Sequence, residues 1–304
     1  MPDIAGEIPA SLIGRRLDAA LAWFLPDLGL RGRRRLATDG SALVNGAVAS
    51  PAYRMKRGDR ISFLTEEKSE TLPAPTFLGE KNKFFIFNKP AGLHTQELAG
   101  RPGASFERWT REWSASRPFV LAPPRLLQRL DFGTSGLILG SDEENCERFR
   151  DLEKKELCGK HYLAILAGEM IKPALASWAL DTRDRRKTRL LRVAAPRVGR
   201  TEFTPLGVFG EKGRKFTLAV CRIMKGARHQ IRAHAAALGY PLAGDDLYGA
   251  PYAPINGDNF YLRHFYLKSP LIKVFYYPDD LPRPDMDTVF RGFVESRGLQ
   301  SFAI

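Results

Sequence analysis

The chain contains little cysteine, with Cys146, Cys158 and Cys221 as the three examples in 304 residues. An odd number of cysteines at these spacings matches neither a disulfide framework nor a set of zinc ligands. The composition is therefore typical of a reduced, cytoplasmic protein, and we expect no metal site.

Long apolar stretches are missing too. No part of the sequence approaches the roughly 18 uncharged apolar residues that a membrane-spanning helix needs. Residues Met1–Glu7 lack a basic start followed by an apolar run, so we expect no secretory signal peptide. We expect no membrane association.

Acidic residues are few relative to basic ones, with 34 Asp and Glu against 47 Lys and Arg and a formal net charge of +13. Such an excess favours a polyanionic partner, because each neutralised phosphate releases condensed counterions. A basic protein without any nucleic-acid partner can have the same composition. Charge alone therefore leaves both interpretations open.

The length and the 44% hydrophobic content suffice for one sizeable core and a smaller module. We expect a small domain at 11–65, a linker at 66–76 and a larger domain at 77–295. The linker is polar and contains two prolines, which is typical of an extended connection. No internal repeat is visible.

The small domain is predicted to begin with two helices. The first follows apolar residues at helical spacing from Leu12 to Leu25 and ends at Pro26. The second covers part of Leu30–Thr38 and stops at Asp39-Gly40. Two strands, Ala42–Val44 and Arg60–Leu64, follow around the turn signals Asn45-Gly46 and Gly58-Asp59.

The larger domain is predicted to mix strands with helices. Ser141 and Glu144 resemble a capping box for a helix at 142–157, and a helix over Arg228–Leu238 is closed by Gly239. The predicted strands are Phe84–Phe87, Gly136–Gly140, His161–Leu166 and Phe216–Ile223. The fold class is therefore α+β.

The small domain resembles the S-four-like RNA-binding domain, named for a small-subunit ribosomal protein. The resemblance rests on Arg16-Leu17-Asp18, on the arginine-rich second helix, on Leu43-Val44-Asn45-Gly46 and on the segment Lys56–Ile61. Ten Lys and Arg against four Asp give residues 11–65 a net charge of +6. The resemblance implies that structured RNA binds to the basic face of the helices through Arg31, Arg33, Arg34 and Arg35. A solvated charged face is the alternative.

The larger domain resembles the RluA group of pseudouridine synthases. Residues Arg129–Leu137 match the group's H-R-L-D-x-x-T-S-G-L, and Gly226–His234 match G-R-T-H-Q-I-R-x-H. Three further matches are Leu238–Gly249, Asn88-Lys89-Pro90-Ala91-Gly92 and Lys160–Ala164. One such string could be chance, whereas several in the family's order are specific. The resemblance implies a mixed, mainly antiparallel sheet with a central cleft and an isomerase that acts on RNA.

Pseudouridylation breaks the bond between the sugar and a uracil nitrogen, turns the base and rejoins it through carbon. The reaction involves no redox change and no external group, so we expect no cofactor. A carboxylate must attack the anomeric carbon or remove a neighbouring proton, and the resemblance gives that role to Asp131. Taken alone, an Asp at this spacing from a Gly is usually a turn residue.

Two further catalytic residues follow from the resemblance. A carboxylate in a base-binding pocket stays ionised beside a fixed cation, and Arg232 is that cation; the alternative is an exposed helix arginine. If the resemblance is right, we expect a short, charge-assisted hydrogen bond between Arg232 and Asp131. Tyr162 corresponds to the tyrosine that stacks on uracil and relays a proton; the alternative is a core tyrosine.

The substrate contacts are also taken from the matched segments. Arg129 is expected to fill the gap left when the target uridine leaves its stack, and Ile231 to pack against the base. His229, Gln230, Lys89 and Thr134 complete the predicted substrate-binding set. Gln128 stands where the family has His, and Ala227-Arg228 where it has Arg-Thr; both departures concern substrate contacts rather than the class of reaction.

Two other functions are compatible with parts of the sequence. One is a non-catalytic RNA-binding or ribosome-assembly protein on the same fold, which would not require the trio of Asp131, Tyr162 and Arg232. The other is a glycoside hydrolase, which would need a second acid across the scissile bond. The predicted partner is ribosomal or transfer RNA, with ribosomal RNA preferred, and no obligate protein partner is implied.

Overall fold

The structure is a computed structural model. It describes residues 3–26, 29–38, 42–63, 74–97, 104–118, 120, 122–184, 186–196, 199–211, 213–249, 260–278 and 280–300. The chain divides into two compact units, one of Met1–Leu72 with Glu97–Gly103 and one of Pro73–Gln96 with Ala104–Ile304. None of the helices in the described part is long and apolar enough to span a membrane.

The N-terminal unit combines two helices with a small antiparallel sheet. Its described elements are β1 (Asp3–Glu7), a short 3-10 helix (Ala10–Leu12), α1 (Leu17–Phe24), α2 (Leu30–Thr38), β2 (Ala42–Val44), β3 (Ala47–Val48) and β4 (Arg60–Phe63). The strands lie in the order β1-β4-β2-β3. Asn45 and Gly46 both have positive φ angles, as the tight hairpin turn between β2 and β3 requires.

The core of this unit explains where its helices form. Leu17 and Leu21 of α1 lie on one buried stripe and pack with Ala37 of α2 and Ile61 of β4. The two predicted helices are present, but α1 begins at Leu17 rather than near Leu12. Both predicted strands are also present, although Leu64 lies outside the described residues. No sequence pattern predicted β1 or β3. Asp39 and Gly40 lie outside the described residues.

The second unit contains the remaining elements. Its strands are β5 (Thr76–Lys81), β6 (Phe84–Lys89), β7 (Arg125–Leu126), β8 (Ser135–Ser141), β9 (Gly159–Ala167), β10 (Ala174–Ala176), β11 (Trp178–Asp181), β12 (Arg189–Ala194), β13 (Thr201–Glu211), β14 (Arg214–Ile223), β15 (Leu262–Lys268) and β16 (Lys273–Phe275). Its helices are α3 (Phe106–Ala115), α4 (Glu143–Lys154), α5 (Gln230–Ala237) and α6 (Pro284–Ser296).

Ten of these strands form one sheet in the described part of the unit. The main order is β10-β13-β14-β9-β15-β8-β6-β5, with β16 beside β15 and β7 beside β8. The pairing of β15 with β8 is parallel and the other described pairings are antiparallel. Strands β11 and β12 form a separate hairpin. The predicted α+β class with a mainly antiparallel sheet is confirmed.

The parallel contact between β8 and β15 depends on Gly136. Its φ is +108°, and a Cβ atom there would lie 2.2 Å from the carbonyl oxygen of His264. Only glycine allows the two backbones to approach so closely. This pairing sets His264 directly beside the strand that follows Asp131.

The sheet separates two buried cores, as strand β9 illustrates. Tyr162, Ala164 and Leu166 point to one face, where they pack with residues of α3 and α5. Leu163 and Ile165 point to the other face, where α6 covers them. Helix α4 covers the ends of β6 and β8 through Phe149. The alternation places Tyr162 on the face that carries α5.

Some predicted boundaries differ from the structure. The N-cap of α4 is Asp142, whose side chain accepts a hydrogen bond from the Asn145 amide. The predicted capping box is therefore wrong, because the Ser141 hydroxyl donates to the Lys83 carbonyl instead. Helix α5 begins at Gln230 rather than Arg228. Most of the predicted linker at 66–76 lies outside the described residues, and its last residue, Thr76, begins β5.

Candidate active site

The segment that carries Asp131 runs alongside residues 92–96. The Thr95 hydroxyl donates to the Leu130 carbonyl at 2.7 Å and accepts from the Leu130 amide at 3.1 Å. The Gly92 amide donates to the Phe132 carbonyl at 2.9 Å, and the Thr134 amide closes a turn onto the Asp131 carbonyl at 3.1 Å. Asp131 is thus held by fixed backbone on both sides, with 24% of its side chain exposed.

Arg232, in the first turn of α5, lies between two carboxylates. Its Nε and Nη2 donate to Asp245 at 2.6 and 2.8 Å, which is a bidentate, charge-assisted pair. Its remaining nitrogen, Nη1, lies 3.8 Å from Oδ2 of Asp131. That distance is too long for a hydrogen bond, so the contact with Asp131 is an ion pair across a narrow gap.

Two aromatic rings complete the surroundings of Arg232. The guanidinium carbon lies 4.4 Å from the centre of the Phe260 ring and 5.2 Å from that of Tyr248, within the range of cation–π attraction. Burial alone would lower the pKa of Arg232, but the hydrogen bonds and charge of Asp245, together with Asp131, outweigh it and raise the pKa. Arg232 is a fixed cation with 8% of its side chain exposed.

Tyr162 lies on β9 and is buried in the same core as Leu130 and Ile231. Its ring stacks on the imidazole of His264, with centres 4.7 Å apart and planes 21° apart. Burial, with a smaller effect from the negative charge of Asp131, raises the pKa of Tyr162 above its usual value. Burial lowers the pKa of His264 to about 3, so Tyr162 is a neutral phenol supported by a neutral imidazole.

Lys89 is buried at the end of β6, and its ammonium nitrogen donates to the carbonyls of Pro90 and Leu93 at 2.8 and 2.7 Å. Burial lowers the pKa of Lys89 to about 7, although the charge of Asp131 acts in the opposite direction. Lys89 therefore fixes the 90–93 turn from inside.

Tyr248 connects the site to the β11–β12 hairpin. Its hydroxyl accepts from the Thr188 amide at 2.9 Å and lies 3.2 Å from Nδ1 of His229. His229 precedes α5 with a φ of 51°, in the left-handed region that is costly for a residue with a side chain. The structure thus holds His229, Tyr248 and Arg232 in one rigid group.

Comparison with known sequences gives a match to one protein family. A sequence model of a family described as RNA pseudouridylate synthase matches residues 83–237, which include Lys89, Asp131, Tyr162 and Arg232. The chain belongs to the RNA pseudouridylate synthase family. Its members are isomerases.

Individual relatives cover most of the chain. One is "Ribosomal large subunit pseudouridine synthase D" of Xanthomonas campestris, which is 29% identical over 251 residues, 80% of this chain and 73% of the relative. The protein of the same name in Pasteurella multocida is 29% identical over 266 residues, 83% of this chain and 79% of the relative.

The fold is shared with solved structures. "Human RNA Pseudouridylate Synthase Domain Containing 1" has a TM-score of 0.58 at 20% identity and covers 77% of this chain and 98% of its own. The human domain-containing-4 structure has a TM-score of 0.53 at 19% identity, covering 71% and 92%. At these identities the likeness concerns the pseudouridylate synthase fold alone.

The structure places Asp131 and Arg232 3.8 Å apart, and Tyr162 lies close enough for the charge of Asp131 to contribute to the rise in its pKa. The short hydrogen bond expected between Asp131 and Arg232 is absent, because Asp245 occupies two donors of the guanidinium. Arg129 is exposed beside Asp131 and donates to Oε1 of Gln96 at 3.0 Å. Ile231 is buried in the core next to Tyr162.

Three members of the predicted substrate-binding set are buried within the fold. The Gln230 amide donates to the carbonyls of Gly199 and Arg200 and accepts from the Ala227 amide, so its polar atoms are used within the fold. Lys89 is fully buried, and Thr134 is buried within its turn. These three side chains lie inside the fold, and their contact with substrate stays a prediction. His229 contacts Tyr248 at the edge of the site.

The arginines of helix α2 differ in their hydrogen bonds and exposure. Arg34 donates to the buried carboxylate of Asp18 at 2.8 Å, as does Arg16 at 2.9 Å. The Arg16 hydrogen bonds, with Arg34 contributing, lower the pKa of Asp18 to about 2. Arg34 therefore has a structural bond as well as an exposed face, and Arg33 is partly exposed. The side chains of Arg31 and Arg35 lie outside the described residues.

Asp245, Tyr248 and Phe260 were not predicted as site residues. Asp245 and Tyr248 stand in the matched segment Leu238–Gly249, so an acid and an aromatic residue there were available signals. Phe260 lies in no matched segment, and no sequence pattern predicted it. Across the described residues, no group of three or more His, Cys, Asp or Glu side chains could hold a metal ion.

The two departures from the family pattern lie in different surroundings. Gln128 is buried and its amide donates to the Leu137 carbonyl at 3.3 Å, the same carbonyl that His264 contacts at 2.7 Å. Arg228 reaches the Asp184 carbonyl of the β11–β12 hairpin at 3.2 Å. Gln128 is thus an internal residue, whereas Arg228 belongs to the rim of the site.

Proposed function

We propose that this pseudouridylate synthase isomerises uridine in structured RNA, with ribosomal RNA preferred to transfer RNA, and that Asp131 is the catalytic nucleophile. The observation that carries the proposal is the ion pair of Asp131 with Arg232, 3.8 Å apart and beside Tyr162. A partly exposed carboxylate lies within reach of a substrate, and the buried, fixed cation beside it compensates its charge.

The reaction assigns a role to each of these groups. Asp131 attacks the anomeric carbon of the flipped uridine and the bond to uracil N1 breaks. The freed uracil turns, its C5 bonds to the anomeric carbon, and the Asp131 carboxylate leaves. C5 loses a proton and N1 gains one. Tyr162 stacks on the uracil and relays that proton through its neutral hydroxyl.

Arg232 acts mainly through electrostatics. It stays between Asp131 and Asp245 throughout, so the charge that returns to Asp131 when it leaves is already compensated. A donor fixed before the reaction needs no reorganisation when the charge develops. The bonds of Asp245 to the other edge of the guanidinium keep Nη1 directed at Asp131.

The choice of RNA is supported by two features. The relatives described above are named for the large ribosomal subunit. The N-terminal unit, which we assign as an S-four-like RNA-binding domain, has a net charge of +6 over residues 11–65. Such a unit would supply salt-dependent affinity for phosphates. Ribosomal RNA as substrate is compatible with the cytoplasmic location that we propose.

The alternative chemistries are less well supported. A glycoside hydrolase needs a second acid that faces the scissile bond, but both oxygens of Asp245 are bonded to Arg232. A purely RNA-binding protein would have no use for a carboxylate held beside a buried guanidinium, since that carboxylate would repel phosphate.

The test is the conversion of unmodified RNA. Ribosomal and transfer RNA transcribed in vitro are each incubated with the full-length protein, and the nucleosides are separated by chromatography. We expect an isomer of uridine with identical mass, formed faster in ribosomal RNA. Conversion of transfer RNA alone would refute the preference, and no conversion of either would refute the activity.

The role of Asp131 is tested with Asp131→Asn, which is nearly isosteric and removes the ionised carboxylate. We expect RNA binding to persist and isomerisation to cease. The matched control is Asp151→Asn, an acid exposed on α4, which should leave turnover unchanged. Turnover of Asp131→Asn within about tenfold of wild type would mean that another group is the nucleophile.

A further inference from the structure

Asp131 is flanked by two side-chain pairs that join the same two segments. On one side Arg129 donates to Gln96 at 3.0 Å. On the other side the Phe132 ring lies against the imidazole of His94, with centres 4.6 Å apart and planes 43° apart. Phe132 is 46% exposed, so a large aromatic surface stands next to the proposed nucleophile.

The position of Phe132 is fixed by the backbone around it. Its carbonyl accepts from Gly92, and the Thr134 amide closes the turn onto Asp131. A Cβ atom on Gly133 would lie 2.9 Å from the Phe260 ring, which shows how closely this turn is packed. The ring therefore does not lie exposed on a loose loop. A rigid turn directs it to the surface.

We propose that Phe132, supported by His94, is a stacking platform for the nucleobase adjacent to the target uridine. The proposal rests on the function proposed above. A uridine that leaves its stack to reach Asp131 exposes a face of its neighbour to water. An exposed aromatic ring one residue from the nucleophile can cover that face, as aromatic side chains do for unstacked bases in RNA.

The two flanking pairs then have separate tasks. Arg129 presents a cation beside Asp131, suited to a phosphate or to the gap left in the stack. Phe132 presents a π face, and every base has a π face, so the platform adds affinity with little choice among neighbouring bases. An isolated exposed apolar residue needs no explanation; the rigid turn, the imidazole support and the adjacency to Asp131 distinguish this one.

The experiment measures stacking directly with 2-aminopurine, whose fluorescence falls when it stacks. Two stem-loop RNAs contain the uridine that the wild-type protein converts, with 2-aminopurine on its 5′ side in one and on its 3′ side in the other. The full-length protein carries Asp131→Asn so that no turnover occurs. We expect quenching on binding in one of the two RNAs.

Variants of Phe132 distinguish the effect of ring stacking from the effect of apolar volume. Phe132→Leu keeps apolar volume without a π system and should abolish the quenching and weaken RNA binding by about 5- to 150-fold. Phe132→Trp should retain both. Leu157→Ala, at an exposed apolar residue after α4, is the control and should behave as the parent protein.

The outcomes distinguish a failure of the platform proposal from a failure of the proposed function. If the wild-type protein converts uridine but neither RNA is quenched, or if Phe132→Leu quenches and binds as the parent does, the platform is refuted and the proposed function stands. If the wild-type protein converts no uridine in any RNA, both proposals fail. A loss of circular dichroism signal in Phe132→Leu would be checked against Phe132→Trp, which retains the ring.

Discussion

Asp245 offers the sharpest test of how this site is organised, because its carboxylate determines which edge of Arg232 faces Asp131. Asp245→Asn keeps the shape of the side chain but replaces one acceptor with an NH2 group. In the present geometry that group would face the guanidinium, donor against donor. Arg232 is then expected to turn toward Asp131, the remaining anion beside it.

The size of the effect follows from the distances. Removing one partner of a buried ion pair costs about 3–5 kcal/mol. We expect about 3 kcal/mol here, because Asp131 and two aromatic rings still surround the cation. Closing the 3.8 Å gap to Asp131 into a hydrogen bond moves the guanidinium by about 1 Å. Such a displacement costs about 100-fold in rate, equivalent to about 2.7 kcal/mol of activation free energy.

The assay uses RNA with tritium on C5 of uridine, because each turnover releases that hydrogen to water. We expect kcat to fall about 100-fold and the free energy of unfolding, from urea titration, to fall by about 3 kcal/mol. The control is Asp280→Asn. It removes a carboxylate 2.5 Å from Arg263, whose side chain points to the other face of the sheet, so it should not change kcat. Turnover of Asp245→Asn within about threefold of wild type, in a folded protein, would show that Asp245 does not orient Arg232.

Three other predictions follow from the same structure. Arg232→Ala should lower turnover nearly as much as Asp131→Asn, and the double variant should be little worse than either; additive losses would mean that the two residues act independently. Burial lowers the pKa of Lys89 from 10.5 to about 7, so between those pH values the unfolded chain holds a proton that the folded chain releases, and stability should rise with pH in this window. Lys89→Met should flatten that rise in urea unfolding, and an unchanged slope would contradict the assignment. Deletion of residues 1–70 should weaken RNA binding and reduce its salt dependence, while the remaining unit keeps its circular dichroism spectrum. Unchanged affinity and an unchanged salt dependence would mean that the arginines of the N-terminal unit have a purpose other than RNA binding.

Local patterns predicted the central elements well. The apolar run at 84–87 lies within β6, and the runs at 136–140 and 161–166 lie within β8 and β9. Gly239 closes α5 with a positive φ, as its position after an apolar helix indicates. These features depend on neighbours in the chain, which is why a single sequence reveals them.

Long-range contacts were not predictable in the same way. No residue pattern near Arg232 indicates that its guanidinium makes two hydrogen bonds to Asp245 and leaves one nitrogen facing Asp131. The hydrogen bond predicted between Arg232 and Asp131 was therefore wrong. The buried position of Gln230 depends on carbonyls of residues 199–200, which approach it only after β13 pairs with β14. No sequence pattern predicted helices α3 and α6, although both cover the sheet.

The parallel pairing of β8 with β15 has a consequence for the time at which the protein becomes active. His264 meets Gly136 in that pair, so a strand made late in synthesis must insert beside one made early. Contacts between such distant parts of a chain form slowly. A nascent chain that has not yet emerged beyond about residue 268, where β15 ends, still lacks the strand beside β8 and the imidazole under Tyr162. The enzyme is therefore expected to remain inactive on the ribosome that makes it until β15 has emerged.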